Sequence, residues 1–492
     1  IWNANPAAII VIAKNLIENM KGNINKKHFI SVFGLVMLNV ATVMSLRGLP
    51  MIAKEGLSMI FYILFSSVLF LLPVSLVSAE LATGWPKSGG VYRWVKEALG
   101  TRAGFVAIWL QWLQNVIWYP TVLSFAAGAL SYLFIDETLA TNKYFNFIVI
   151  LVVYWGATLA SFKGLKIAGK IAAYGVIFGT LLPGLLIIIL GILWVSTGNS
   201  VEFLKVGQSI NILPDFSTFN SLAFLAGIVL LFAGMEVGAV HVTELKKPSR
   251  EFPSAIFTAM FIIIIVFSLG SLSIASVMPA EEINLNEGIM QGLGYLLSKF
   301  SVGWLLPVMG LLIAFGSVGG VLAWIVGPSK GLLATANDGD LPPLMAKINK
   351  NGVQQNILII QGLIVTLTSF IFLIMPSVSS AFFILSILTV APYLIMYFLL
   401  FISAIKLRYS HPDVPRAFKL PWGNFGMWLV SGIGLMAVIF AFFIGFFPPE
   451  ELAVGSPVFY VTFLICGVIV FVITPIIINM MKKPGWKKET EK

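Results

Sequence analysis

Long apolar segments recur along the whole chain, and they constrain its fold more than any single motif does. About twelve of them reach the length that an α-helix needs to cross a bilayer hydrocarbon core, roughly 20 residues. Only 11% of the 492 residues are charged, whereas about 25% is usual in soluble domains. The sequence therefore predicts an all-α polytopic membrane protein. The segments fall near residues 29–53, 58–82, 103–134, 145–162, 167–195, 218–243, 253–277, 303–334, 356–375, 380–405, 426–447 and 457–480.

Lysine and arginine are distributed unequally between the loops on the two sides of these segments. When successive loops are assigned to alternate sides, 26 of the 31 basic residues lie on one side, which we call the basic face. Four lie on the opposite face, and Arg47 lies inside the first segment. Short loops rich in Lys and Arg stay in the cytoplasm. The pattern predicts that the basic face and both chain termini are cytoplasmic.

The sixth segment has features that a simple membrane anchor does not need. Its middle carries Ala233 and Gly234, then Glu236, then Gly238. A glycine weakens a helix interior by about 1 kcal/mol, and a mid-membrane carboxylate costs about 3 kcal/mol on insertion scales. A helix break at this depth is tolerated where the freed backbone groups line a cavity. We therefore predict a break beside a functional Glu236; the alternative is a close-packed glycine face with protonated Glu236 bonded to a neighbour.

The first segment is interrupted as well, by the run SLRGLP at residues 45–50. Arg47 is followed there by Gly48 and Pro50, which both disfavour a continuous helix. The two interrupted segments are five apart, so they cross the membrane in opposite directions. Paired interruptions in two halves of a chain are typical of a transport site. The alternative is that Arg47 extends its side chain to the opposite face near Lys54.

Cofactor, metal and enzyme motifs are missing from the sequence. Cys466 is the single cysteine, and His28, His241 and His411 are scattered, so we predict no metal site and no disulfide framework. The chain has no Gly-rich phosphate loop, HExxH or CxxC motif. We expect neither an enzyme nor a bound cofactor. The formal net charge of +10 follows membrane topology, so we expect no nucleic-acid partner.

Three shorter patterns add detail. A Gly-Gly break followed by an amphipathic helix is predicted on the basic face within residues 80–100. An amphipathic lid is predicted on the opposite face within residues 279–297, and its acids Glu281, Glu282 and Glu287 are expected to face solvent. Tyr393 and Tyr397 are four residues apart and share one helix face.

Three phrases of the sequence resemble the amino acid–polyamine–organocation superfamily. They are LFAGMEVGAVHVTELKKPSREFP at 231–253, GWPKSGGVYRWV at 84–95, and WIVGPSKGLLATANDGDLPPLMAKINKNGV at 324–353. The similarity is greatest to the bacterial glutamate/GABA antiporters and extends from about residue 29 to 482. It implies multi-pass insertion in the bacterial inner membrane, amino acids as small-molecule substrates, and alternating access.

The resemblance also implies a division of the chain. Residues 29–195 would form a first repeat of five helices, and residues 218–405 an inverted second repeat, with broken first and sixth helices. Residues 426–480 would add two helices. Residues 1–28 would be a cytoplasmic or membrane-surface extension, and residues 481–492 a short cytoplasmic tail.

The substrate site implied by the resemblance lies between the two broken helices. Backbone amides at 45–48 would bind the substrate carboxylate, and carbonyls at 232–235 would bind its ammonium group. Glu236 matches the acid of the sixth helix in the family. Trp324 matches a site tryptophan in the eighth helix, and Tyr393 and Tyr397 match a tyrosine pair in the tenth. The implied substrate-binding residues are Ser45, Leu46, Arg47, Gly48, Phe232, Ala233, Gly234, Met235, Glu236, Trp324, Tyr393 and Tyr397.

Three departures from the glutamate/GABA antiporter distinguish this chain. Arg47 stands where that protein has a tyrosine, and Gly320 stands where it has a glutamate that is proposed to line its path. The chain also stops at Lys492, without the long tail that plugs the antiporter. The changes at Arg47 and Gly320 make the cavity more positive, which favours glutamate or aspartate over a polyamine, and without the tail we expect no acid gating by such a plug.

Our hypothesis is an amino acid antiporter in which Arg47 pairs with Glu236 while the cavity is empty. A substrate side-chain carboxylate would take over Arg47, and the released Glu236 would be pushed towards its neutral form and couple a proton. A proton- or sodium-coupled amino acid symporter is the main alternative. A channel and a transporter-like sensor are further alternatives.

Overall fold

The computed structural model describes residues 31–86, 89–134, 138–163, 165–204, 211–239, 245–449 and 453–486. Every regular element within these ranges is a helix, and no strand occurs among them. The extension at 1–28 lies outside the described residues, as does the tail from residue 487 onwards.

Nine helices among the described residues are long and apolar enough to cross a membrane. This confirms the predicted fold class, an all-α polytopic membrane protein. Each of the nine overlaps one of the predicted apolar segments. They are Gly56–Gly84, Lys143–Phe162, Lys170–Ser196, Pro248–Ala275, Gly303–Asn337, Gln355–Ile374, Val378–Ser410, Gly423–Ile444 and Pro457–Met480.

The first, third and sixth predicted segments are helical too but are not among these nine; we number all twelve segments as spans in chain order. The third is a continuous helix, Thr101–Ser131. The first is divided into Val32–Val43, a 3₁₀ turn at Leu46–Gly48, and Leu49–Ala53. The sixth is divided into Phe224–Leu231 and Met235–Ala239. The predicted helix breaks are therefore present in both spans.

Side-chain caps and prolines explain where several spans begin. Ser31, Asn142, Ser377 and Ser456 each accept a hydrogen bond from a backbone amide three residues later. These caps satisfy amides that have no partner within the first turn of a helix. Pro248 lies at the first position of the seventh span, where its missing N–H costs nothing.

The third and tenth spans form the centre of the helix bundle. In the most apolar stretch of the tenth span 83% of the residues are buried, whereas in the corresponding stretch of the twelfth span only 11% are buried. The third span contacts the fourth, eighth, ninth and tenth spans, and Trp112 and Tyr119 on it are fully buried. Apolar residues on the outer spans instead face outwards, as lipid contact permits.

Two short amphipathic helices follow the second and seventh spans. The first, Val91–Leu99, follows the second span after Gly89 and Gly90, which both have positive φ angles. The second, Gly288–Lys299, follows the seventh span. Glu281 and Glu282 before it are exposed, but Glu287 is 4% exposed. The expectation that all three acids face solvent is wrong for Glu287.

Candidate substrate-binding site

The break in the first span leaves backbone amides available at the start of a half-helix. Met44 and Ser45 have extended backbone angles, and the chain then turns at Leu46–Gly48. Among the described residues, the amides of Ser45, Leu46 and Arg47 have no acceptor. The start of a helix carries partial positive charge and unpaired N–H groups. This arrangement suits a carboxylate.

The break in the sixth span depends on Gly234. Its φ angle is +124°, a conformation that residues with a Cβ rarely adopt. A Cβ there would also lie 3.1 Å from the carbonyl oxygen of Thr42 and 3.7 Å from the ring of Trp324. Gly234 therefore allows the sixth span to approach the first and eighth spans closely.

The two broken helices also meet at a second glycine. A Cβ on Gly48 would lie 2.2 Å from the side chain of Leu231, so a larger residue there would require the Leu231 side chain to move. Leu231 ends the first half of the sixth span. The side chain of Leu231 therefore packs against the break in the first span.

Glu236 is buried and accepts hydrogen bonds from three side chains. Its Oε1 accepts from Gln111 Nε2 at 3.0 Å and from the Tyr393 hydroxyl at 2.5 Å. Its Oε2 accepts from the Tyr397 hydroxyl at 2.6 Å. The Tyr397 hydroxyl in turn accepts from the amide of Gly234 at 3.1 Å. Three donors suit an ionised carboxylate, because it is an acceptor only.

Arg47 is 4% exposed, so it does not extend to the membrane surface. Its Nη1 donates to Thr121 Oγ1 at 3.0 Å, and its guanidinium lies 5.8 Å from the ring centroid of Trp118 and 5.4 Å from that of Phe382. No acidic side chain in the described ranges forms an ion pair with it. The hypothesis of a resting pair with Glu236 is wrong for this conformation, because both groups are engaged elsewhere.

A cavity of about 100 Å³ lies between the two breaks and the third, fifth and eighth spans. Six of the predicted site residues line it: Ser45, Leu46, Arg47, Ala233, Trp324 and Tyr393. The other six lie behind its wall. Two of them are the glycines of the breaks, Gly48 and Gly234, whose close contacts are described above. The hydroxyl of Tyr397 donates a hydrogen bond to Glu236. The side chains of Phe232 and Met235 are fully buried.

The cavity is positively charged. Arg47 is the one residue with a formal charge among the described residues that line it. Glu236 does not line the cavity, because Gln111, Tyr393 and Tyr397 surround its carboxylate. A ligand that brings an additional negative charge would therefore compensate Arg47.

Several polar residues of the cavity wall were not identified from the sequence. Half of them come from the third span, where polar side chains within an apolar helix were the available signal. Gln111 was also not identified from the sequence; it lies on the third span and donates a hydrogen bond to Glu236, although it does not line the cavity. The missed lining residues with polar side chains are Thr42, Gln114, Asn115, Trp118, Thr180 and Ser317.

Comparison with known proteins places this chain in a family. The sequence pattern described as "Amino acid permease" matches residues 28–472, which is most of the chain. The chain belongs to the amino acid permease family. The permease is therefore a multi-pass protein of the cell membrane, its substrates are amino acids, and its family comprises transporters rather than enzymes.

Similarity to individual permeases extends over nearly the whole chain. An uncharacterized transporter of Legionella pneumophila is 42% identical over 451 residues, 92% of this chain and 96% of the relative. A glutamate/gamma-aminobutyrate antiporter of Lactococcus lactis is 34% identical over 454 residues, 91% and 90% respectively. A probable agmatine/putrescine antiporter of Lactococcus lactis is 23% identical over 397 residues, 80% and 83%.

Proposed function

We propose that this permease is an antiporter that exchanges an acidic amino acid, with glutamate as the first candidate, for a less acidic one. The observation that carries the proposal is Arg47, a buried guanidinium that faces a cavity without an acidic partner. A buried charge is costly unless it is paired. A substrate with a side-chain carboxylate supplies the missing partner in a fork geometry that arginine suits.

The names of the relatives favour the same substrate class and exchange. A glutamate/gamma-aminobutyrate antiporter is 34% identical to this chain over 91% of its length, whereas the probable agmatine/putrescine antiporter is 23% identical. A cavity whose charged residue is an arginine repels a diamine. Glutamate exchanged for γ-aminobutyrate is therefore the pair to test first.

The substrate backbone would bind at the two breaks. Its α-carboxylate would accept from the amides of Ser45, Leu46 and Arg47, which have no acceptor among the described residues. Its α-ammonium would approach the backbone carbonyls near Ala233, beside the C-terminal end of a half-helix, where the helix dipole is negative. The side-chain carboxylate would then reach the guanidinium of Arg47.

Glu236 is proposed to couple a proton to the exchange. As a carboxylate it accepts from Gln111, Tyr393 and Tyr397. A protonated carboxyl group has one oxygen that donates, so at least one of these contacts must rearrange. The proton would thereby alter how the second half of the sixth span is held. In the proposed orientation the basic face and both termini are cytoplasmic.

Exchange in liposomes tests the proposal and its main alternative. Purified protein is reconstituted into vesicles that are loaded with unlabelled glutamate, loaded with γ-aminobutyrate or left empty, and entry of labelled glutamate is followed. Antiport predicts fast entry into both loaded vesicles and little entry into empty ones. Entry into empty vesicles driven by a proton gradient would replace antiport with symport. Absence of entry under every condition would contradict the acidic substrate.

A further inference from the structure

The guanidinium of Arg47 is held by neutral groups alone. Among the residues that the structure describes, its side chain makes one hydrogen bond, from Nη1 to Thr121 Oγ1 at 3.0 Å, and its buried Nε has no acceptor. The Thr121 hydroxyl donates its own proton to the carbonyl of Trp118 at 2.8 Å, so it offers Arg47 an oxygen but no negative charge. A buried ion is costly unless an opposite charge accompanies it.

Two aromatic rings fix the position of the guanidinium without neutralising it. They belong to Trp118 and Phe382, whose ring centroids lie 5.8 Å and 5.4 Å from it. The faces of such rings attract a cation, but the rings carry no net charge. Trp118 also packs edge-on against Trp324 at 6.2 Å between centroids, and both tryptophans line the cavity. The guanidinium is therefore already in place for a ligand that brings a negative charge.

The cavity beside Arg47 has room for a small anion. Its volume of about 100 Å³ is several times the roughly 10–15 Å³ that one ordered water requires. Gln114 and Asn115 contribute side-chain amides to the wall, and amide nitrogens are hydrogen-bond donors. None of the described residues that line the cavity has a carboxylate. An anion that enters the cavity therefore meets one positive charge and no negative one on its wall.

Substrates of different charge leave Arg47 in different electrostatic states. In the proposed function, on which this inference rests, the side-chain carboxylate of glutamate pairs with the guanidinium. A substrate without that carboxylate, such as glutamine, fills the same cavity but leaves the charge of Arg47 uncompensated. An antiporter must return the less acidic partner through the same site, where an unpaired charge is costly. One half of each exchange cycle therefore needs a separate anion.

We propose that a small inorganic anion such as chloride binds Arg47 whenever the cavity holds no side-chain carboxylate. The anion pairs with the guanidinium in the place that the side-chain carboxylate of glutamate would occupy. The empty cavity and the cavity that holds a neutral amino acid both take up chloride, whereas glutamate displaces it. Chloride is therefore a competitor of the acidic substrate and a partner of the neutral one.

Chloride should have opposite effects on two amino acids of nearly the same shape. Exchange of labelled glutamate against glutamate, and of labelled glutamine against glutamine, is measured in liposomes while sodium chloride replaces sodium gluconate at constant ionic strength. Chloride should raise the KM for glutamate at unchanged kcat, and it should lower the KM for glutamine. For one competing ligand with a Kd near about 75 mM, about 150 mM chloride raises the KM for glutamate about threefold.

Substitutions of Arg47 assign both effects to its charge. Arg47→Gln removes the guanidinium and should abolish the effect of chloride on either KM. Arg47→Lys keeps a positive charge and should retain both effects at reduced size. Lys299→Gln is the matched control, because it removes an exposed positive charge that does not line the cavity, and both effects should remain at full size in it.

Thermal unfolding measures anion binding without transport. The Tm of the purified full chain in detergent, with no amino acid present, is followed as chloride replaces gluconate. A ligand that binds only the folded state raises the Tm, and we expect a rise of about 1 °C in the wild type. Arg47→Gln should show no rise, whereas Lys299→Gln should show the same rise as the wild type.

The outcomes separate the anion site from the proposed function. Chloride effects of the same sign on both amino acids, or effects that persist in Arg47→Gln, would overturn the anion site. The comparison of signs uses the wild type, so it stays decisive if Arg47→Gln does not fold. Normal glutamate exchange without any effect of chloride on KM or Tm would reject the anion site alone. Absence of glutamate exchange, with a rise in Tm that depends on Arg47, would reject the acidic substrate and leave the anion site standing.

Discussion

The hydroxyl of Tyr397 accepts a hydrogen bond from the backbone amide of Gly234 at 3.1 Å. The same hydroxyl donates to Glu236 at 2.6 Å, so one side chain of the tenth span holds both the break in the sixth span and its carboxylate. The hydroxyl group can satisfy both partners, since it offers one donor and two acceptor positions. The shape of the break and the charge of Glu236 are therefore coupled through Tyr397.

Tyr397→Phe should impair the protein more than Tyr393→Phe. The first variant leaves the Gly234 amide and Glu236 Oε2 without this partner, at a cost of about 1–3 kcal/mol for each buried polar group. The second leaves Glu236 Oε1 its bond from Gln111. We expect a larger fall in both Tm and glutamate exchange for Tyr397→Phe. Equal losses in the two variants would contradict the double role of Tyr397.

Gly234→Ala should abolish most transport. Its φ of +124° is strained for alanine, at a cost of about 1–3 kcal/mol, and the new Cβ would press on the carbonyl of Thr42. We expect exchange in liposomes to fall at least tenfold. Gly432→Ala is the matched control, since this helical glycine has nothing within 4 Å of an added Cβ. Wild-type exchange by Gly234→Ala would show that the break is not needed.

Glu236→Gln should remove the pH dependence of exchange. Glutamine cannot ionise, and its amide nitrogen donates as one oxygen of a protonated carboxyl group does. The exchange rate of the variant should therefore stay near the wild-type rate at acid pH across the whole range. The measurement is the initial rate of labelled glutamate entry at several pH values. A variant that folds and keeps the wild-type pH profile would remove Glu236 from proton coupling.

The contact between Lys96 and Asp338 should persist from pH 8 to pH 5. The pKa of Asp338 is lowered in the folded protein, so its stabilising effect is complete above the ordinary carboxyl pKa and is lost only as the pH falls through the lowered value. Lys96→Met should reduce Tm by about 1–2 °C, as a partly exposed ion pair is worth at most about 1 kcal/mol. The difference from wild type should stay constant over this range. A difference that disappears above pH 5 would show that Asp338 titrates there.

The spans and their breaks were predictable because their causes are local. An apolar run of membrane length forms a helix in a bilayer whatever its neighbours are. Gly234 and Pro50 disfavour a continuous helix because of the backbone conformations that glycine and proline adopt. The importance of Arg47 and Glu236 follows from the cost of a charge at mid-membrane, although their roles in binding remain predictions.

The partners of these residues were not predictable, because they depend on which helix faces meet. Glu236 bonds to Gln111 and Arg47 bonds to Thr121, and both partners lie on the third span. Nothing in the spacing of the sequence indicates which face of that span lies against the breaks. The expected pair between Arg47 and Glu236 was wrong for the same reason: the third and tenth spans supply nearer partners.

The preference for glutamate over glutamine tests the role of Arg47 most directly. Exchange of each labelled amino acid is measured in liposomes for the wild type and for Arg47→Gln, with Thr121→Val as a variant that keeps the guanidinium but removes its hydrogen-bond partner. We predict that the wild type prefers glutamate and that Arg47→Gln loses this preference at least tenfold while glutamine exchange persists. Thr121→Val should retain most of the preference for glutamate over glutamine. An unchanged preference in Arg47→Gln would contradict the account of the cavity.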